Sequence, residues 1–372
     1  MIFFYCIESN MAFVKYRARL LCHHRYNERR SLSIKRNEMK AAQRVEIDST
    51  LGIPTVYVVQ RKKKYSFDEE KIDRWIKQGR GREEREAYIP WFTVSDVPSR
   101  GKSTRVSGEE KFGKRTLHYL STNEWYAHLH LWYDDECIGI QEQFPFLDRM
   151  ETIGVAIRLK IRHPEDPITK IPIVITTDIL ATHLNDGTIF RRAYAIKSTE
   201  SLSNERTVEK LRLEREVSQL HGFEWVLWLD TELRTNYGDN LERLYGYNRQ
   251  LKPNEAQIDL LLLQFQRRPS ETATSVCREC DHLAGATPGT YLAILRVLLA
   301  TKQFATDLSR RRYECNLCAE FKPQGKWATR ATKLLQWAHP SSASPLAVPA
   351  ASDKLSTGSC YRAPGFLITR RI

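Results

Sequence analysis

The sequence predicts an α/β unit with a mixed central sheet, followed by a smaller α-rich domain. Three observations carry this. Apolar patterning between residues 121 and 229 runs helix, strand, strand, strand, helix, strand, the order of a sheet covered by helices. After about residue 230, strand-like alternation gives way to three helical segments and a short β-like end. The chain has 372 residues, 41% of them apolar, enough for two or three domains with a sizeable core.

Each element has a local reason. Residues 66–80, SFDEEKIDRWIKQGR, read as a short helix, with Ser66 and Glu69 at capping-box spacing and Gly79 and Gly81 ending it. Residues 81–108 read as loop, with two prolines and several turn residues. Residues 121–133, STNEWYAHLHLWY, read as a helix, and residues 137–146, CIGIQEQFPF, as a strand stopping at Pro145. Residues 148–172 read as a mostly polar connection with three prolines. Residues 173–181 and 189–197 read as two strands joined by the Asp-Gly turn of LNDGT. A charged amphipathic helix over 204–220 stops at His221-Gly222. The segment FEWVLWL, 223–229, is apolar except for Glu224 and fits a buried strand. Trp125, Trp225 and Trp228 are expected in the core.

Beyond 230 come PNEAQIDLLLLQFQRR with Pro253 near its start, TATSVCRECDHLAG ending at Gly285, PGTYLAILRVLLATK, and then FATDLSRRRY. Three helices and a β-like end predict a winged helix-turn-helix. The expected organisation is a basic extension over 1–64, an α/β domain over 65–230, a winged-helix domain over 231–320 and a disordered tail rich in Pro, Ala and Ser over 321–372. Met11 and Met39 are alternative starts within the extension.

Lys and Arg number 58 against 45 Asp and Glu, a net charge of +13. Fourteen of the basic residues and five of the acidic ones lie in residues 1–64, which close on RKKK. This favours a polyanionic partner, most simply nucleic acid, although a solvated basic tail reads equally well. No apolar run is long enough to span a membrane, and MIFFYCI is too short for a signal segment. A cytoplasmic chain with reduced thiols is therefore expected. Cys277-x-x-Cys280 and Cys315-x-x-Cys318 have zinc-knuckle form, but 34 residues separate them and the first pair falls inside a helix, so structural Zn2+ is not expected.

Asp178 sits on one β-like segment and Lys197 closes the next. Phosphodiester hydrolysis needs a hard divalent cation on oxygen ligands, an activated water and charge neutralisation at phosphorus. A carboxylate and a lysine side by side on a hairpin suit that chemistry. Glu124, just before the strands, is the candidate third group, although Ser121-x-x-Glu124 is also a capping box, and spacing alone favours the cap. In the segment 88–106, Arg100, Lys102 and Arg105 are phosphate contacts by type, unless this is a wrapping loop whose Trp91 and Phe92 pack on the core.

The segments DRWIKQGRG, YIPWFTVSDVPSRGKSTRV, HYLSTNEW, QEQFPFLDR, LKIRHPEDP, ITTDIL, AYAIK and RTVEKLRLEREV occur in order from about 68 to 229, and the similarity continues more weakly to about 312. With them the chain resembles the TnsA endonucleases of cut-and-paste transposons. The resemblance implies a restriction-endonuclease-like (PD-(D/E)xK) core with Glu124, Asp178 and Lys197 as catalytic residues. It implies Mg2+, with Mn2+ able to substitute, acting at the 5′ ends of a transposon. It also implies a TnsB-like DDE recombinase and a TnsC-like ATPase regulator as partners, the latter through the C-terminal domain. One departure stands out: the position two before the lysine, usually Gln or Glu in the family, is Ala195. The metal would then rest on Glu124, Asp178, a strand carbonyl such as that of Ile196, and waters. A catalytically impaired DNA-binding or adaptor protein is the alternative. Glu142 and Gln143 lie near the expected site and read as a sheet-facing structural pair.

Overall fold

The computed structural model describes residues 66–97, 102–108, 110–247 and 251–338, together with the backbone of two short antiparallel strands, β1 (Arg44–Ile47) and β2 (Pro54–Tyr57). The remainder of the basic extension, Arg100, and residues 339–372 lie outside the described residues. The chain divides into two compact units, one of residues 1–127 and 134–230, the other of residues 128–133 and 231–372.

The first unit is built on a four-stranded sheet in the order β5 (Cys137–Phe146), β6 (Ile175–Asn185), β7 (Thr188–Lys197), β8 (Glu224–Leu229). The first three strands are antiparallel and β8 runs parallel to β7, so the sheet is mixed. The turn between β6 and β7 has Asp186 at φ 48° and Gly187 at φ 78°, the backbone of a two-residue hairpin loop and the reason for Asp-Gly there. Both strands run longer than their apolar cores suggest, because the outer cross-strand pairs Leu184–Ile189 and Asn185–Thr188 keep the ladder to the turn. A smaller ribbon, β3 (Thr104–Ser107) with β4 (Thr116–Tyr119), lies in and after the stretch expected to be loop.

Helix α1 (Glu69–Lys77) is capped by Asp68, whose side chain accepts from Lys71 N at 2.8 Å, rather than by Ser66. Its Trp75 meets Phe67, Trp91 and Val174 in a buried cluster. Gly81 is at φ +75°, and a Cβ there would stand 2.0 Å from Pro145 Cγ, so only glycine lets this turn lie on β5. Helix α2 (Thr122–Tyr133) leads into β5. The polar connection contains a helix, α3 (Arg149–Arg158), which the sequence reading missed. Asp148 caps it by accepting from Met150 N and Glu151 N, and Val155 and Ala156 are its buried face. These pack with Phe146, Ile175, and Leu213 and Val217 of α4 (Glu205–Leu220) to cover the sheet.

Strand β8 is half-buried rather than central. It is a sheet edge, Glu224 is exposed and bridges Arg192 at 2.6 Å, and Trp225 and Trp228 are only partly covered, whereas Trp125 is buried as expected.

In the second unit, helices α5 (Asp230–Leu233) and α6 (Asn236–Leu244) precede the three expected helices, α7 (Glu255–Arg267), α8 (Ala273–Leu283) and α9 (Thr290–Ala300). Asn254 and Gln257 form a capping box on α7. Buried Asp281 on α8 accepts from Gly289 N at 2.7 Å and Tyr291 N at 2.8 Å, tying α8 to the start of α9. A two-stranded ribbon follows, β9 (Phe304–Ala305) with β10 (Lys322–Pro323). The expected tail does not begin at 321. Lys326–Ala338 forms helix α10, because Trp327 and Ala331 bury one face and Lys326 and Arg330 pair with Glu255 and Asp259 of α7. No helix among the described residues is long and apolar enough to cross a membrane.

Candidate active site

One end of the central sheet gathers the acidic residues and the lysine. β6 enters there and β5, β7 and β8 leave, so side chains from several strands meet in one place. Asp178 lies near the start of β6 and Lys197 is the last residue of β7. Lys197 Nζ donates to Asp178 Oδ2 at 2.6 Å and to the Ile196 carbonyl at 3.0 Å, while Ile196 N donates to the same Asp178 oxygen at 2.7 Å. Burial alone would lower the Lys197 pKa. The charges of Asp178 and Glu214 and the hydrogen bond to Asp178 outweigh it, holding the pKa above its ordinary value. The side chain is therefore an ammonium at neutral pH.

Glu124 is both a capped-turn residue and a neighbour of this pair. Glu124 N donates to Ser121 Oγ at 3.2 Å, so Ser121 caps the helix, and Ser121 Oγ also donates to Glu124 Oε1 at 2.8 Å, side chain to side chain. Leu120 N donates to Oε2 at 2.9 Å. The carboxyl is 6% exposed. Burial, and after it the charge of Asp178, pushes its pKa up to about 7, against the donors at Leu120 and Ser121 and the charge of Lys197.

Two further residues belong here that the sequence reading did not assign. Glu214 on α4 is buried among Leu211, Leu213 and Val217. Burial pushes it up to about 7, opposed by Lys197 and reinforced by Asp178. Side-chain hydrogen bonds from Thr177 and Trp225 also oppose the rise. The signal was available: Glu214 lies three residues after Leu211 and three before Val217, a carboxylate inside the apolar stripe of its helix. Gln143 on β5 donates from Nε2 to Glu124 Oε2 at 3.2 Å and is 3% exposed. Its φ of +50° is left-handed, a conformation that costs a non-glycine residue roughly 1–2 kcal/mol.

Glu142 and Gln143 are thus not one structural pair. Glu142 is fully buried and takes both guanidinium nitrogens of Arg115 at 2.6 Å, with His118 N at 3.2 Å. It ties the β3–β4 ribbon to the sheet. Ala195 is completely buried and has no polar side-chain atom to offer.

The remaining candidates separate. Trp91 is buried and Phe92 packs against the same aromatic cluster, so this part of the 88–106 segment is a wrapping loop. Arg80 fixes it, donating to Trp91 O and Asp96, both at 2.8 Å. Lys102 and Arg105 are exposed, Arg105 on β3. Cys277, Cys280 and Cys318 are buried, which pushes their thiols up, to about 12 for the last two, while Cys315 is exposed.

The donor set fits a hard divalent cation. The charge of Asp178 raises the proton affinity of Glu124, and with a strand carbonyl beside them these are oxygen ligands whose repulsion a cation relieves. Among the described residues no group of three or more His, Cys, Asp or Glu side chains is set to hold a metal. Water would have to complete the shell, as it usually does around Mg2+. Hard oxygen donors beside an ammonium at one end of a mixed sheet are what a nuclease of the carboxylate–lysine class requires.

Comparison with known proteins agrees with that class. Residues 134–230 match the family described as TnsA-like endonuclease N terminal, and residues 232–308 the one described as TnsA endonuclease C terminal. The transposition protein TnsA of transposon Tn7 from Escherichia coli is 34% identical over 257 residues, which is 68% of this chain and 92% of that relative. The chain belongs to the TnsA endonuclease family, with an N-terminal endonuclease domain on a mixed four-stranded sheet and a helical C-terminal domain.

Proposed function

We propose that this chain is a Mg2+-dependent DNA endonuclease and a subunit of a Tn7-like transposase, hydrolysing phosphodiester bonds at the 5′ ends of its transposon. The convergence of Glu124, Asp178 and Lys197 at one sheet end carries the reading. The relative's name as a transposition protein supports the setting. On this reading residues 65–230 form a restriction-endonuclease-like domain, and residues 231–320 form a winged helix, with α7, α8 and α9 as its helices and β9–β10 as its wing.

Glu124, Asp178 and the Ile196 carbonyl would hold the cation, which supplies charge neutralisation at phosphorus and a more acidic water. Lys197, charged and fixed by Asp178, donates to phosphate oxygens or orients the attacking water; its raised proton affinity argues against a role as general base. Glu124 is poised to hold or release a proton near neutral pH. Glu214, when ionised, adds a second negative charge beside the lysine. Lys102 and Arg105 are phosphate contacts on the exposed ribbon. A TnsB-like recombinase and a TnsC-like ATPase, the latter at the C-terminal domain, are the protein partners.

Ala195 favours a second reading, an adaptor with impaired catalysis, since it removes one side-chain ligand. End-labelled transposon DNA incubated with the recombinase partner separates the two. The endonuclease reading expects 5′-end cuts with the wild-type chain, and 3′-end cuts alone with Asp178→Ala. Identical products from both proteins would favour the adaptor.

A further inference from the structure

Asp178 has two cross-strand neighbours. The β6–β7 ladder ends at Ile179–Tyr194, so Ala195 is the next β7 residue beyond its last pair, and on the other side the β5–β6 pairs Glu142–Ile179 and Phe144–Thr177 flank Gln143 and Asp178. The first neighbour has no polar group. The second is a buried amide, the backbone of which departs from the strand at this residue alone: φ is +50°, and the ladder pairs on either side, Glu142–Ile179 and Phe144–Thr177, remain regular. The carbonyl of Gln143 accepts from Trp91 N at 3.2 Å, which anchors the departure. Its side-chain nitrogen reaches Glu124 Oε2, the oxygen that also takes Leu120 N. Three donors thus fix the Glu124 carboxyl, two from the turn before its own helix and one from across the sheet. Only the last ties Glu124 to the strand beside Asp178. Unfavourable backbone geometry kept at a residue that bridges two site elements points to the site rather than to the fold.

We infer that Gln143 is a positioning residue that sets Glu124 against Asp178 for the cation, in a site where the other neighbour of Asp178, Ala195, can do nothing of the kind. The inference rests on the metal-dependent reading above. Gln143 does not touch the reacting atoms. It acts through Glu124, as an outer hydrogen-bond partner orients a ligand.

Mn2+ binding to the full chain, followed by titration calorimetry, tests this alongside melting temperature. Gln143→Gly accepts the left-handed backbone freely and removes the whole side chain, amide included. Gln143→Asn also tolerates that backbone but is one methylene too short to reach Glu124. Both should bind Mn2+ about ten-fold or more weakly than wild type, with melting temperature held. Should Gln143→Gly not fold, Gln143→Asn decides alone. Wild-type Mn2+ affinity in either folded variant would overturn the inference, because a purely structural role moves the melting temperature and not the affinity. Absence of Mn2+ binding by the wild-type chain would overturn the metal reading itself and this inference with it.

Discussion

Replacing Glu124 with glutamine should flatten the pH dependence of stability of the cation-free protein. Burial, and then the charge of Asp178, raises this carboxyl from 4.5 to about 7 in the folded state. The folded protein therefore holds the proton more tightly than the unfolded chain does. That stabilisation is complete below about pH 4.5 and is lost as the pH rises through 7. Such a rise corresponds to about 3 kcal/mol. In a unit of 150–250 residues, 1 kcal/mol moves the melting temperature by roughly 2–4 °C. Between pH 5 and pH 8 in EDTA, wild type should lose roughly 6–12 °C relative to Glu124→Gln. Glutamine preserves the shape and can still accept from Leu120 N, so the difference isolates the charge. Glu214, also raised to about 7, stays in both proteins and gives both a residual slope of the same sign. Adding Mg2+ or Mn2+ at pH 8 should restore wild type and leave the variant unmoved, since the cation replaces the proton. Differential scanning fluorimetry across the pH range reads all of this. Parallel curves for the two proteins would refute the claim that Glu124 is held against Asp178 in a buried site.

Other perturbations have distinct signatures. Lys197→Met should reduce DNA cleavage by roughly two to three orders of magnitude while Mn2+ affinity is kept or increased, because the ammonium at 2.6 Å competes with a cation for Asp178; calorimetry beside cleavage kinetics checks the split. Glu214→Gln should lower cleavage about ten-fold by removing an anionic neighbour of Lys197, without loss of melting temperature at pH 8, where the buried carboxyl is charged at a cost. Arg115→Met should destabilise the protein by about 3–5 kcal/mol in urea unfolding, since it strands the fully buried Glu142 charge.

The parts of the fold that were legible are those in which local pattern and tertiary environment agree. The β6–β7 hairpin announces itself through Asp186-Gly187, and α2, α4 and α7 through their caps and breaks. Helix α3 was hidden because only Thr152, Val155 and Ala156 are buried while Ile157 is exposed, so no clean apolar stripe marks it. The tail was misread at α10, whose helix depends on ion pairs to residues 71 positions earlier. Of the site, Asp178 and Lys197 were visible as an odd carboxylate and an odd lysine on apolar strands. Glu124 was visible as a candidate third group that spacing alone favoured as a cap until the resemblance singled it out, and the structure makes it capped-turn residue and site neighbour together. Glu214 was legible as a carboxylate in the apolar stripe of its helix but went unread among the charges of ERTVEKLRLEREV. Gln143 was placed near the site but read as structural, since a positive φ at a glutamine and the reach of its amide to Glu124 exist only in three dimensions.

The most direct measurement is nicking of supercoiled plasmid with Mn2+ or Mg2+, wild type beside Asp178→Ala. It requires no knowledge of the transposon ends. The account predicts metal-dependent conversion to open circles by wild type and none by the variant, with equal melting temperatures. Equal nicking by the two proteins would contradict the assignment of Asp178 to the active site.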